Sequence, residues 1–256
     1  KTYDFRIIGK RSGRINNKWI FKIELYKEGK MTRTKLDDRV LPTYTKSEEI
    51  FNMVTHIVGA PLGIVAIVLG VVFSSIKGNG YGIASSIVYG LTLTTLYTMS
   101  SIYHGLNPDT KTRTKKIFQI FDHCSIFILI AGSYTPFSLC TLREYNSATG
   151  WTIFGVVWGL AILGIVFNSI DLKKYKVFSM ICYILMGWCI MIRIRLLPQL
   201  LTFNGFMLLL IGGIVYTIGA VLYIVGKKHK WRHSIFHIAC VIASLLHFFC
   251  IFFYVI

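Results

Sequence analysis

Apolar residues gather into seven long stretches that follow a polar N-terminal segment. The stretches run over 51–74, 82–105, 118–140, 151–169, 177–197, 205–226 and 233–255. About 20 helical residues cross the roughly 30 Å hydrocarbon layer of a bilayer, so each stretch predicts one transmembrane helix. The breaks between them are short and polar, and backbone groups in lipid must be satisfied within each helix. The pattern predicts an all-α integral membrane domain over residues 50–256, built as a seven-transmembrane helix bundle.

Residues 1–49 form a polar, basic segment without an apolar stretch of comparable length. Hydrophobic and polar positions alternate modestly around Trp19–Leu25, a pattern that is compatible with a β-strand. We interpret this segment as a cytosolic extension that lies against anionic lipid. A small folded module is the alternative interpretation.

The distribution of charge matters more than its total. The net charge of +17 would suggest nucleic-acid binding in a soluble protein, but 54% of the residues are hydrophobic and only 15% are charged. Lys and Arg lie in the N-terminal segment and in the breaks, so we expect membrane lipids as partners and no nucleic acid. The breaks after the second, fourth and sixth stretches contain 11 basic residues, against four elsewhere in residues 50–256. The positive-inside rule then predicts a multi-pass protein with a cytosolic N-terminus, in a membrane that the pattern does not identify.

Three histidines predict a metal site near the cytosolic ends of the helices. His233 and His237 are four residues apart, so their imidazoles project from one helical face about 6 Å apart along the axis. His104 ends the second stretch at the same expected depth. Three neutral imidazoles and a water form the ligand set of a hydrolytic zinc site. We therefore expect zinc at these residues; for any one histidine, hydrogen bonding to headgroups or loop carbonyls is the competing explanation.

Two further polar residues at this depth are the candidate catalytic groups. Ser100 precedes His104 by about one turn on the same helical face. Asp122 opens the third stretch, where a carboxylate is costly unless it is paired or faces a hydrated cavity. His123 and His247 are not expected to be ligands, because the first points about 100° away from Asp122 and the second lies deep in the last stretch.

Glu49, Asn52 and His56 are spaced three and then four residues apart, which places them on one stripe of the first helix. A helix start capped by Ser47 would explain the acidic residue, because carboxylates are favourable in the first turn. That explanation does not cover Asn52 and His56. We therefore predict that the residues of this stripe contact the metal-binding histidines and hold their rings in position.

The motifs around these residues resemble those of the hemolysin III proteins, within the progestin and adipoQ receptor (PAQR) superfamily. They are EIFNMVTH at 49–56, SSIYH at 100–104, Asp122, and HSIFH at 233–237. The resemblance covers roughly residues 46–256 in the expected order, and the superfamily is itself similar to the alkaline ceramidases. It implies a seven-helix bundle with a cytosolic N-terminus, zinc held by the three histidines, and the serine and aspartate near the metal-bound water.

Three functions remain open at this point. The first is a zinc-dependent hydrolase of a lipid amide or ester that enters laterally from the bilayer, with Asp122 relaying a proton and Ser100 orienting that network. The second is a pore-forming, cytolytic protein, open to assembly as a homo-oligomer, in which zinc is structural. The third is a PAQR-type membrane receptor that responds to a lipid or protein ligand. Polar residues are scarce in the outer halves of the stretches, which disfavours a wide channel through one subunit.

Overall fold

The computed structural model describes residues 5–15, 18–27, 33–225 and 230–256, and the chain divides into two compact units between Lys35 and Leu36. In the first unit, β1 (Phe5–Ile15) pairs with β2 (Lys18–Lys27) as an antiparallel ladder. An irregularity between Ile7 and Gly9 shifts the register by one residue, as in a β-bulge. The alternating segment around Trp19 therefore lies in β2.

The second unit is helical in all of its described regular elements. Its helices are α1 (Lys46–Ile76), α2 (Gly80–Gly105), α3 (Thr112–Pro136), α4 (Arg143–Tyr145), α5 (Ser147–Ile170), α6 (Lys176–Trp188), α7 (Leu197–Val225) and α8 (Arg232–Tyr254). A π-helical turn, Phe137–Leu142, joins α3 to α4, and a 3₁₀ turn, Cys189–Arg193, follows α6. The membrane domain thus has the predicted helical class.

Six helical segments among the described residues are long and apolar enough to cross a membrane. They contain α1, α3 with α4, α5, α6 with its 3₁₀ turn, α7 and α8, and they support an integral, multi-pass membrane protein. The remaining long helix, α2, does not belong to this set. Ser, Thr and Tyr residues recur along α2, and many of them are buried where it packs on α1 and α3.

Several helix boundaries differ from the expected ones, and two of them have a clear local cause. The first helix begins at Lys46, and Thr45 rather than Ser47 is its N-cap, because Thr45 and Glu48 form a reciprocal capping box. Within the predicted break before 205, α7 begins with a short helical segment at Leu197, and a kink at the non-helical Thr202 (φ 59°) separates this segment from the longer helix that follows. Proline is tolerated in a first turn, so Pro198 does not prevent this early start. The predicted end of the sixth stretch at 226 lies outside the described residues.

Close contacts among α1, α2 and α8 bring together the helix ends that carry the candidate site residues. A Cβ on Gly63 of α1 would overlap Thr94 and the Gly90 carbonyl, and one on Gly90 of α2 would overlap Ile67. Small residues allow this approach of two backbones. Helix α1 also packs on α8, and α7 packs on α8. The start of α1, the end of α2 and the start of α8 are therefore neighbours.

Candidate metal centre

His104, His233 and His237 converge at this junction of α1, α2 and α8. One ring nitrogen from each lies within 4.8 Å of the others, and His104 and His237 are buried. The separation between Nε2 atoms is 3.0 Å for His233 and His237 and 3.3 Å for His233 and His104. These three residues, which the sequence predicts from spacing and depth, form a group that can hold a metal ion.

Two of the three nitrogen separations fit a small tetrahedral cation. Zinc binds imidazole nitrogen at about 2.0–2.1 Å, so two ligands of a tetrahedron are separated by about 3.3 Å. The two observed separations, 3.0 and 3.3 Å, lie close to that edge length. Two imidazole nitrogens at such a distance need either a shared hydrogen or a shared cation between them. A metal satisfies all three rings at once.

The carboxylate of Glu49 fixes the tautomer of His104. Its Oε2 lies 2.5 Å from His104 Nδ1, and its Oε1 accepts from Lys115 Nζ at 2.7 Å. An ionised carboxylate only accepts, so the ring hydrogen of His104 is on Nδ1 and Nε2 presents its lone pair to the cluster. Carboxylate support of this kind orients metal-ligating histidines.

Glu48 anchors the start of α8, which carries the other two histidines. Its Oε1 accepts from the backbone N–H of Trp231 at 2.7 Å. Trp231 has a left-handed backbone (φ 67°), which is uncommon outside glycine. The hydrogen bond from α1 therefore holds the turn that aims His233 and His237 inward.

Asn52 and His56 lie behind the cluster, as the stripe on the first helix suggests. His56 stacks on His237 with ring centroids 3.8 Å apart. Both side chains are buried, and neither the Asn52 amide nor the His56 ring makes a well-formed hydrogen bond. Buried polar groups are usually paired, so these two are candidates for contact with a further polar species at the centre.

Tyr44 covers the cluster from the segment before α1 and is absent from the sequence-based set. Its ring stacks on His233 at 4.9 Å and 15°, and lies 5.8 Å from His104. Burial raises the pKa of the Tyr44 hydroxyl, which favours its neutral form. The position precedes the helix and belongs to no periodic pattern, which is why spacing could not reveal it.

Ser100 and Asp122 open with His237 onto a cavity of about 170 Å³. The cavity is lined mostly by apolar side chains and continues between α3, α6, α7 and α8 to Trp188 and His247. From His237 to His247 is 10 residues of α8, or about 15 Å. The three-histidine centre therefore opens into an apolar cavity that extends for about 15 Å along α8.

His123, which follows Asp122, has a hydrogen-bond partner for each of its two ring nitrogens. His123 Nδ1 donates to the Gln119 carbonyl at 2.9 Å, and Nε2 accepts from the Tyr223 hydroxyl at 3.3 Å. The Asp122 carboxylate lies 3.6 Å from His123 Nδ1. His123 thus lies outside the three-histidine group, in agreement with the sequence-based expectation.

Comparisons with known proteins identify a family and several relatives that are similar to this chain. A family model described as haemolysin-III related matches residues 44–248. Hemolysin-3 of Bacillus cereus is 39% identical over 209 residues, which cover 82% of this chain and 92% of that protein. The Hemolysin-3 homolog of Bacillus subtilis (strain 168) is 38% identical over 211 residues, covering 82% and 96%. Human monocyte to macrophage differentiation factor is 26% identical over 167 residues, covering 64% and 67%.

Proposed function

Because the chain belongs to the haemolysin III-related family, we propose that it is an intramembrane zinc hydrolase that cleaves a lipid amide or ester. The observation that carries the proposal is the convergence of three imidazole nitrogens beside an apolar cavity that also contains a serine and an aspartate. A ligand set of three neutral histidines favours zinc and leaves a fourth position for chemistry. When bound there, zinc supplies an activated water and polarises a carbonyl oxygen.

We assign proton handling to Asp122 and Ser100. The Asp122 carboxylate accepts a proton from the attacking water and returns it to the leaving amine or alkoxide. The Ser100 hydroxyl lies one turn before His104 and orients this exchange by hydrogen bonding. Glu49, Asn52 and His56 keep the ligand rings in place.

A lipid substrate is supported by what surrounds the centre. Tyr44 lies over His233 on the side of the N-terminal segment, whereas the cavity runs among the apolar helices. Lys116 Nζ donates to the Asp37 carbonyl at 2.6 Å, and Arg39 Nη2 donates to the Ile170 carbonyl at 2.9 Å, which ties down the segment that precedes Tyr44. A substrate therefore enters laterally from the bilayer. Ceramide-like amides are the class to test first.

We further propose that α2 completes a seven-helix transmembrane bundle with a cytosolic N-terminus. Its 26 residues span about 39 Å, enough to cross the hydrocarbon layer. The breaks on the side of the N-terminus carry most of the basic residues of the membrane domain. The metal centre then lies near the cytosolic leaflet.

Hydrolysis is tested on the purified, zinc-loaded chain in liposomes that contain a ceramide-like amide. Asp122→Asn should retain zinc and lose about 10²- to 10⁴-fold in cleavage rate, as expected for a lost general base. Asp109→Asn is the matched control, because Asp109 is an exposed aspartate outside the cavity. Cleavage that is absent from the zinc-loaded wild type, or equal in Asp122→Asn, would contradict the proposal.

Membrane lysis is the second candidate, and the names of the two bacterial relatives favour it. In that case zinc clamps α2 to α8 and the chain acts as a homo-oligomer. Dye-loaded liposomes distinguish the two functions. Leakage that persists in Asp122→Asn, without lipid cleavage by the wild type, would support lysis over hydrolysis.

A further inference from the structure

Lys115 is the most deeply buried of four basic residues that lie between the second and third apolar stretches. The break predicted between the second and third apolar stretches contains Lys111, Arg113, Lys115 and Lys116, and their number fits the positive-inside pattern. Lys111 and Arg113 are exposed as that pattern expects, but the Lys115 side chain is only 1% exposed. Removing an ammonium group from water is costly unless it is paired and hydrogen-bonded. Orientation in the membrane does not require such a burial.

The partners of Lys115 lead directly to a candidate metal ligand. Its Nζ donates to Glu49 Oε1 at 2.7 Å and to the Leu106 carbonyl at 2.8 Å. It also lies 5.1 Å from the centre of the Tyr103 ring, within the range of a cation–π contact. The second oxygen of Glu49 accepts from His104 Nδ1 at 2.5 Å. One carboxylate therefore joins an ammonium group on α3 to an imidazole on α2.

This arrangement determines what Glu49 can do. Since Lys115 donates to Oε1 and His104 Nδ1 donates to Oε2, both carboxylate oxygens are already engaged in hydrogen bonds. The ammonium group compensates the carboxylate charge and fixes its direction. Glu49 then supports a ligand and does not serve as one, and His104 keeps its Nε2 lone pair aimed at the cluster.

We propose that Lys115 is a positioning residue that sets the metal affinity of the histidine cluster through Glu49. The inference rests on the metal centre of the proposed function, but it does not depend on hydrolysis. Loss of the groups that orient metal-binding histidines typically lowers metal affinity by about 10- to 100-fold. Lys115 belongs to this class although no metal-binding pattern includes a lysine.

The test measures zinc affinity of the full chain in detergent by competition with a chelator, together with the visible absorption of the Co²⁺-loaded protein. Lys115→Gln keeps a hydrogen-bond donor but removes the charge, and should weaken binding by about 10- to 100-fold. Lys111→Gln removes an exposed charge from the same break and should bind as wild type does. Lys115→Arg keeps the charge and should retain most of the affinity.

A double-mutant cycle with Glu49→Gln separates positioning from general stability. If Lys115 acts through Glu49, the double variant loses no more affinity than Glu49→Gln alone. Losses that multiply, a wild-type affinity in Lys115→Gln, or a Lys115→Arg protein as weak as Glu49→Gln would overturn the proposal. A wild type that binds zinc but cleaves no lipid would defeat the hydrolase and leave this inference standing.

Discussion

At the scale of single residues, the Asn52 side-chain amide is buried without a hydrogen-bond partner, so its effects on metal binding and on stability can be measured separately. A buried polar group without a partner costs about 1–3 kcal/mol, so it persists when it serves a bound species. Asn168 is a buried asparagine of the opposite kind, since it donates to the Tyr183 hydroxyl at 3.2 Å and accepts from Ser179 at 2.5 Å. These two residues offer a matched comparison.

We predict that Asn52→Leu leaves the metal-free protein as stable as wild type or more stable, and weakens its binding of zinc. Asn168→Leu should destabilise the protein by about 1–3 kcal/mol, because it leaves the buried Ser179 hydroxyl without its acceptor. Thermal unfolding of both variants in detergent, without metal, measures the difference. Equal destabilisation by the two substitutions would show that Asn52 is a structural residue.

A second prediction at the scale of single residues concerns Tyr44. Because its ring lies over His233, Tyr44→Ala should let a water-soluble chelator remove the metal faster than it does from wild type, whereas Tyr44→Phe should not. Tyr145→Ala is the control, since Tyr145 is 61% exposed and lies in the short helix α4. Stopped-flow measurement of zinc release gives the rates. Identical release from wild type and Tyr44→Ala would contradict a covering role.

The sequence predicts the centre well where residue spacing carries the information. His233 and His237 share a helical face, and charge topology brings His104 to their depth. Tyr44 and Lys115 were not predictable in the same way. One lies outside any helix, and the other is one of several lysines whose number the membrane topology already explains.

At the scale of elements, the α1–α2 crossing holds two sides of the centre together. Gly63 and Gly90 meet there with no room for a Cβ, whereas nothing lies within 4 Å of a Cβ placed on Gly155 of α5. We predict that Gly63→Ala destabilises the protein by about 1–3 kcal/mol through overpacking. Gly155→Ala should have no such effect. Thermal unfolding compares them, and equal stability of both variants would contradict the close crossing.

Helix number and order follow from apolar stretches, but helix ends depend on short-range chemistry. The capping box of Thr45 and Glu48 starts α1 before the apolar stretch begins. Helix α6 ends at Trp188 and continues as a 3₁₀ turn inside a stretch that hydropathy alone predicts as one helix. Several Ser and Thr hydroxyls of α2 donate to carbonyls one turn back in the same helix, and the Tyr89 and Tyr97 hydroxyls donate to carbonyls of α8.

At the scale of the whole molecule, the proposed orientation predicts which loops face the cytosol. Arg113 precedes the apolar part of α3, and Arg195 lies between the 3₁₀ turn and α7; both are exposed. In sealed vesicles of known sidedness, Arg113→Cys should react with an impermeant maleimide from the cytosolic side and Arg195→Cys from the opposite side. Labelling of both from one side would contradict the topology.

The metal content of the purified protein tests the central claim most directly. The account predicts about one zinc per folded chain, measured by mass spectrometry of the metal. His237→Ala should lose it while remaining folded, and His247→Ala, which replaces a half-buried histidine outside the cluster, should keep it. A folded wild type that contains no metal and binds none when zinc is added would contradict the account.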